Sequence, residues 1–102
     1  MKIISKLIDY IDDELDGAEG YAKCAIEHKF DYPKPAAKLY ELANEEMGRF
    51  KALHTEVVRL IEEYKEKHGE PPKEMLAIYN YEHEKFIGRA AYVKQLIEQY
   101  NN

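Results

Sequence analysis

The sequence has a single cysteine, four prolines, five glycines and no tryptophan among its 102 residues. The lone Cys24 excludes a disulfide within the chain, which favours a reducing, cytosolic setting. No apolar run is long enough for a transmembrane helix, and charge follows Met1 too soon for a signal peptide. We therefore expect one soluble, acidic domain over residues 1–102 that is cytoplasmic and does not contact a membrane.

Basic residues are outnumbered by acidic ones, 15 against 20, which gives a net charge of −5. Proteins that bind nucleic acid directly usually carry a basic patch, so this composition argues against that class. The sequence also lacks a phosphate-binding glycine loop, a dinucleotide fingerprint and a nucleophilic serine motif. These absences favour a protein without enzymatic activity.

Prolines and one glycine divide the chain into three helical segments. Asp31–Pro35 contains two prolines, and His68–Pro72 joins two more to Gly69, a residue suited to a left-handed helix end. No stretch alternates with period two, so no strand is expected. The pattern predicts an all-α, up-down-up bundle of three long antiparallel helices. The predicted helices span about residues 2–29, 35–67 and 72–100.

Each predicted helix carries an apolar stripe at heptad-like spacing. Helices 2 and 3 have further apolar residues beside the stripe, which is more than three packed helices usually bury. We therefore predict that a second copy or another partner completes the core. The stripes are Ile4, Ile8, Ile11, Leu15, Ala18, Ala22 and Ala25; Ala36, Tyr40, Ala43, Met47, Phe50, His54, Val57, Ile61 and Tyr64; and Leu76, Tyr79, His83, Phe86, Ala90, Val93, Ile97 and Tyr100. The further apolar residues are Leu39, Leu53, Leu60, Met75, Ile78, Ile87 and Leu96.

Several ionisable residues interrupt these apolar columns. An unpaired buried charge costs several kcal/mol, so each of them needs an ion pair, a hydrogen bond, a metal or access to water. Glu46 stands three residues before Arg49 and can pair with it along helix 2. Counting outward from the two turns places Glu14 about level with residue 50, and His83 about level with residue 57.

The same residues also form a candidate metal site. Carboxylate-bridged metal centres in helical bundles combine Glu side chains with Glu-x-x-His pairs, a spacing that puts both ligands on one helix face. The alternative interpretation is structural, with these groups bound to arginines, tyrosines or carboxylates and no cofactor. The candidate ligands for iron, manganese or zinc are Glu14, Glu46, His54, Glu82 and His83.

Two motifs resemble rubrerythrin-type members of the ferritin-like superfamily. Glu14 stands seven residues before Tyr21, and the run from Glu45 to Arg49 resembles the metal-binding stretch of the second helix of that family. The resemblance implies a ferritin-like bundle with a dinuclear metal carboxylate centre. This chain has Arg49 where the family has a histidine, and it has three predicted helices where the family has four.

A second resemblance extends over most of the chain. It is carried by the stretches at residues 45–47, 53–54, 57–64, 68–72 and 79–85. These resemble small helical proteins encoded by tailed phages and prophages of Gram-positive bacteria. The resemblance implies an accessory protein that acts in the bacterial cytoplasm.

Six acidic residues fall between Asp9 and Glu19 of helix 1, with no Lys or Arg among them. Such a run is either a solvated helix face or a surface that attracts a basic protein. We predict that the protein binds a partner protein, for example a host protein that handles nucleic acid or acts in defence, which it would inhibit. The predicted partner-binding residues are Asp9, Tyr10, Asp12, Asp13, Asp16 and Glu19.

Two glycines also fall within helix 1. Gly17 and Gly20 each cost about 1 kcal/mol relative to Ala in a helix. They indicate either that another helix or a partner approaches closely at this point, or that the first helix is weak and bent.

Overall fold

The computed structural model describes residues 2–102, which are helical apart from two short connections. Helix α1 spans Lys2–Glu27, α2 spans Pro33–His68 and α3 spans Lys73–Asn101. They form an up-down-up bundle with extents of 56 × 18 × 17 Å, and no strand occurs in the described part of the chain. The predicted all-α bundle of three long helices is confirmed.

The first connection is displaced by two residues from its predicted position. α1 ends at Glu27 because residues 28–32 form a turn, in which the Tyr32 N–H donates to the His28 carbonyl at 2.9 Å. α2 begins already at Pro33. A proline in the first turn of a helix loses nothing, because the N–H groups of that turn have no carbonyl within the helix to bind.

The second connection ends α2 at a glycine, as predicted. Gly69 has a φ of +78° and donates its N–H to the Lys65 carbonyl at 2.9 Å. Its ψ of −162° completes a backbone conformation that is essentially restricted to glycine, so the end of α2 requires a glycine at this position. Pro72 caps α3 and is not its first residue, because its backbone is extended while its carbonyl accepts the Leu76 N–H.

The core follows the predicted stripes. The α1 stripe is buried except for Ile8, which is half-buried. α1 packs against both other helices along its length, whereas α2 and α3 approach each other closely at few points. The largest fully buried side chains are Ile11, Leu15, Val57, Phe86 and Val93.

The extra apolar residues of α3 have different environments. Leu96 is buried in the core, but Ile78 and Ile87 are 65% and 50% exposed. The predicted excess apolar surface on α3 is therefore present at two positions. None of the helices in residues 2–102 combines the length and the apolar character needed to cross a membrane.

Candidate functional site

Arg49 on α2 binds two carboxylates that the sequence suggests as metal ligands. Its Nε donates to both carboxylate oxygens of Glu14 on α1 at 3.1 Å, and its Nη2 lies 3.0 Å from Glu46 Oε1. The two Glu side chains are mostly buried, while the Arg49 side chain is half exposed. The guanidinium thus pairs with both carboxylates at the edge of the core. The predicted pairing of Glu46 with Arg49 is confirmed, as is the level of Glu14 beside residues 49–50.

Gly17 provides the space that the Glu46 carboxylate occupies. A Cβ at this position would stand 3.1 Å from Glu46 Cδ and 3.2–3.3 Å from its two oxygens. At Gly20 nothing lies within 4 Å of the corresponding point. A side chain of α2 therefore approaches α1 closely at Gly17, in line with the first of the two interpretations of these glycines, whereas Gly20 faces open space.

Arg89 on α3 holds two further acids on the opposite side of α1. Its Nη1 lies 3.4 Å from Asp12 Oδ1, and its Nη2 binds Asp16. Partial burial raises the pKa of Asp12, and the positive charge of Arg89 opposes this rise. The interaction links α3 to α1. It also means that two acids of the run, Asp12 and Asp16, already have an ion-pair partner within the chain.

The acidic run is therefore not one free surface. Glu19 pairs with Lys23 at 3.0 Å along α1, in addition to the acids held by the two arginines. Asp9 and Asp13 are exposed and form no ion pair with any residue from 2 to 102. Of the predicted partner-binding acids, these two alone have no cation within ion-pair distance in the described chain.

A shallow cleft of about 340 Å³ lies between α1 and α2 and is lined by Asp13. Asp9 stands about one helical turn before Asp13 on α1. The rim of the cleft includes Tyr10, which is 55% exposed, and Asp13, while Ala52 and Leu53 supply apolar surface. Glu14 and its ion-pair partner Arg49 also line the cleft. We call the set Asp9, Tyr10, Asp13, Ala52 and Leu53 the acidic cleft face. It can accept a basic side chain next to a small apolar one.

The two candidate histidine ligands stack on each other between α2 and α3. The ring centroids of His54 and His83 are 5.1 Å apart, and the stack continues to Phe50 on one side and Tyr79 on the other. Burial lowers the pKa of His54, and the neighbouring His83 lowers it further. His54 Nε2 is buried and has no hydrogen-bond partner within residues 2–102.

The five candidate metal ligands thus lie in separate places. Glu14 and Glu46 meet at Arg49, the two histidines stack elsewhere, and Glu82 lies 3.7 Å from Lys85 on its own helix. Within residues 2–102 no group of three His, Cys, Asp or Glu side chains converges to hold a metal ion. A guanidinium has no lone pair for a metal, and here it occupies both carboxylates. This arrangement does not fit a dinuclear centre unless Arg49 moves away.

No protein-family model, curated protein or solved structure matches the chain. Sequence patterns alone do not select Ala52 as part of a binding surface. Counting residues outward from the first turn could have indicated it. Glu14 lies level with residues 49–50, so Tyr10 and Asp13, which precede Glu14 by at most about one turn, lie near the residues that follow Arg49 on α2.

Proposed function

We propose that the protein is a non-enzymatic binding protein whose partner docks on the acidic cleft face. The observation that carries the proposal is the position of Asp9 and Asp13, which stay exposed and unpaired within the described chain while a cation holds each of the other acids of the run. Asp13 lines a cleft together with the exposed Tyr10 and the apolar side chains of Ala52 and Leu53, and Asp9 lies about one helical turn before it on α1. An exposed tyrosine and apolar side chains with charged residues around them are typical of protein interfaces.

The chemistry of this face suggests a partner with a basic surface. Lysine or arginine side chains would bind Asp9 and Asp13, and a small apolar side chain would cover Ala52 and Leu53. Groups that bind phosphate backbones are basic, so a protein that handles nucleic acid offers a suitable surface. With the resemblance to phage proteins, the proposal places this partner in the bacterial cytoplasm, as a nucleic-acid-handling or defence protein of the host.

A capture experiment with matched variants tests the proposal. Immobilised wild type, Asp9→Asn/Asp13→Asn and Glu66→Gln/Glu70→Gln are incubated with bacterial lysate, and bound proteins are identified by mass spectrometry. The control pair removes the same charge from exposed acids of the α2–α3 end, which form no ion pair within residues 2–102. Asp12 and Asp16 are left unchanged in all variants, because their ion pairs with Arg89 link α3 to α1.

We expect a specific protein to bind the wild type and the control, to be lost from the α1 variant, and to elute with rising salt. Equal capture by all three proteins contradicts the proposal. So does the absence of any specifically retained protein.

A metal carboxylate protein is the second hypothesis. The observation in its favour is that carboxylates from two helices, Glu14 and Glu46, converge on one cation position. Elemental analysis of protein purified without chelator tests it with wild type, Glu46→Ala and Arg49→His. Stoichiometric iron, manganese or zinc that disappears in Glu46→Ala supports the hypothesis. A metal content in wild type and Arg49→His no higher than in Glu46→Ala excludes it.

A further inference from the structure

The outer side of α3 carries a second row of residues at heptad spacing, apart from the stripe that enters the core. The members follow one another at alternating steps of four and three, the spacing of positions that meet in a coiled coil. All of them are exposed, with Ile87 at 50%. We call this set the outer α3 row. It comprises Asn80, Glu84, Ile87, Ala91, Lys94 and Glu98.

The charged members of this row have no partner in the described chain. Neither Glu84, Lys94 nor Glu98 forms an ion pair with a residue from 2 to 102. On the α1-facing side of the same helix, by contrast, Arg89 binds two aspartates and Lys85 lies near Glu82. The row thus combines exposed apolar side chains with charges that are available to a second molecule.

The row is complementary to itself when two copies run antiparallel. The register that sets Ile87 opposite the partner's Ala91 also sets Glu84 opposite the partner's Lys94. A two-fold axis repeats each of these pairs. A parallel pairing would instead bring Glu84 against the partner's Glu84, which repels. The order of charges along α3 therefore favours a second copy of the chain as the binding partner, in antiparallel orientation.

The neighbouring groove gives the second copy an apolar surface to cover. α2 and α3 flank an open groove of about 460 Å³ between the Tyr40–Tyr100 contact and the His54–His83 contact. Its apolar lining includes Met47, Phe50 and Ile97. Four members of the outer α3 row also line it, namely Ile87, Ala91, Lys94 and Glu98. A second α3 laid on the row would close this groove on one side.

We propose that two copies of the chain pair through the outer α3 row in antiparallel orientation. The pairing buries Ile87 and Ala91 of both copies and joins Glu84 to the partner's Lys94 at each end. None of the residues of the acidic cleft face belongs to this interface, so the pairing does not depend on the proposed function. A dimer would carry two cleft faces and bind a partner with two basic sites more tightly than one copy.

Charge reversal tests the interface and its orientation together. Glu84→Lys and Lys94→Glu each place like charges opposite each other twice, so each variant alone is expected to have a dissociation constant at least ~10-fold higher than wild type. Mixing the two variants restores opposite charges at both ends, so a heterodimer forms. The double variant Glu84→Lys/Lys94→Glu pairs like wild type. Glu66→Lys, a reversal outside the row, leaves the dimer intact.

The readout is the molar mass from light scattering at tens of micromolar, where we expect the wild type to be dimeric. Circular dichroism verifies that each variant is folded. Three results overturn the proposal: a monomeric wild type, single variants that remain as dimeric as wild type, or a mixture of the two variants that stays monomeric. Capture of a host protein by the monomeric variants leaves the proposed function intact, so the two proposals fail separately.

Disulfide trapping verifies the register. In a Cys24→Ser background, Ile87→Cys and Ala91→Cys proteins are mixed and oxidised, and the antiparallel register predicts efficient cross-links between the two variants. Ile87→Cys alone is expected to cross-link poorly, because the partner's Ala91 lies opposite position 87. Efficient cross-linking of Ile87→Cys with itself, and none in the mixture, contradicts the antiparallel register.

Discussion

Two arginines determine which acids of α1 remain free. Arg49 binds Glu14 from α2, and Arg89 binds Asp12 and Asp16 from α3. Asp9 and Asp13, which no cation of the described chain reaches, are left exposed on the acidic cleft face. The location of the candidate binding surface is therefore set by cations on the other two helices as much as by the acids themselves.

Replacement of Arg49 with Met is expected to lower the free energy of unfolding by about 1–2 kcal/mol, because it leaves two mostly buried carboxylates unpaired. Arg59→Met is the matched control, since Arg59 binds Glu56 and Glu63 on its own exposed helix face. Exposed pairs of this kind contribute little, so the control loses much less stability. Urea denaturation measures both values. An equal decrease in the free energy of unfolding in the two variants would show that the inter-helix ion pair of Arg49 stabilises the fold no more than an exposed pair within one helix.

The two glycines of α1 are expected to respond differently to alanine. Gly20→Ala adds a methyl group in open space and raises the free energy of unfolding by about 0.5–1 kcal/mol. Gly17→Ala brings its methyl group against the Glu46 carboxylate, which must shift from its position beside Arg49. The helix-propensity gain is then offset, and stability does not rise. Thermal unfolding measures the stability of both variants. An equal gain in stability in both would contradict the position of the Glu46 carboxylate against Gly17.

At the scale of the helices, the histidine stack joins the middle of α2 to α3. Burial lowers the pKa of His54 in the folded chain from its ordinary value of 6.5. The unfolded chain therefore binds more protons as the pH falls below this value, and stability decreases. The decrease stops once the pH is below the pKa of the folded state.

We expect the free energy of unfolding to be lower at about pH 5.5 than at about pH 7.5, and His54→Phe to reduce this difference. His68→Gln serves as the control, because His68 is exposed at the end of α2. Urea denaturation of the three proteins at both pH values gives the comparison. An unchanged pH dependence in His54→Phe would contradict the burial of this imidazole.

The helices and their core faces were predictable from the sequence because periodicity and proline positions are local properties. The axial count also placed Glu14 beside Arg49, and it placed His83 within one turn of its partner His54. The count does not give side-chain directions, so it could not distinguish Gly17 from Gly20. It also could not show which acids pair with Arg89, because this pairing depends on how α3 is rotated about its axis relative to α1.

At the scale of the whole molecule, the bundle is long and thin. Its radius of gyration is 16.4 Å, whereas a compact domain of about 100 residues has about 13 Å. A thin bundle leaves each helix with a wide exposed face, which explains why apolar side chains such as Ile78 and Ile87 remain at the surface. This shape is consistent with a chain that adds a second copy.

Pairing through the outer α3 row predicts that stability depends on protein concentration. Because the second copy binds the folded chain, the urea midpoint of wild type is expected to rise between low micromolar and high micromolar concentration. Glu84→Lys disrupts the row and is expected to remove this dependence. A wild-type midpoint that does not change with concentration would be inconsistent with the dimer.

The central claim is that a partner protein binds the acidic cleft face, and site-specific photo-cross-linking tests it most directly. The photoreactive residue p-benzoylphenylalanine replaces Tyr10 in one protein and Tyr81, which is similarly exposed on α3, in another. After irradiation in bacterial lysate, we predict a specific cross-link to a lysate protein from position 10 and none to a lysate protein from position 81. A product from position 81 alone, or the same product from both positions, would contradict the claim.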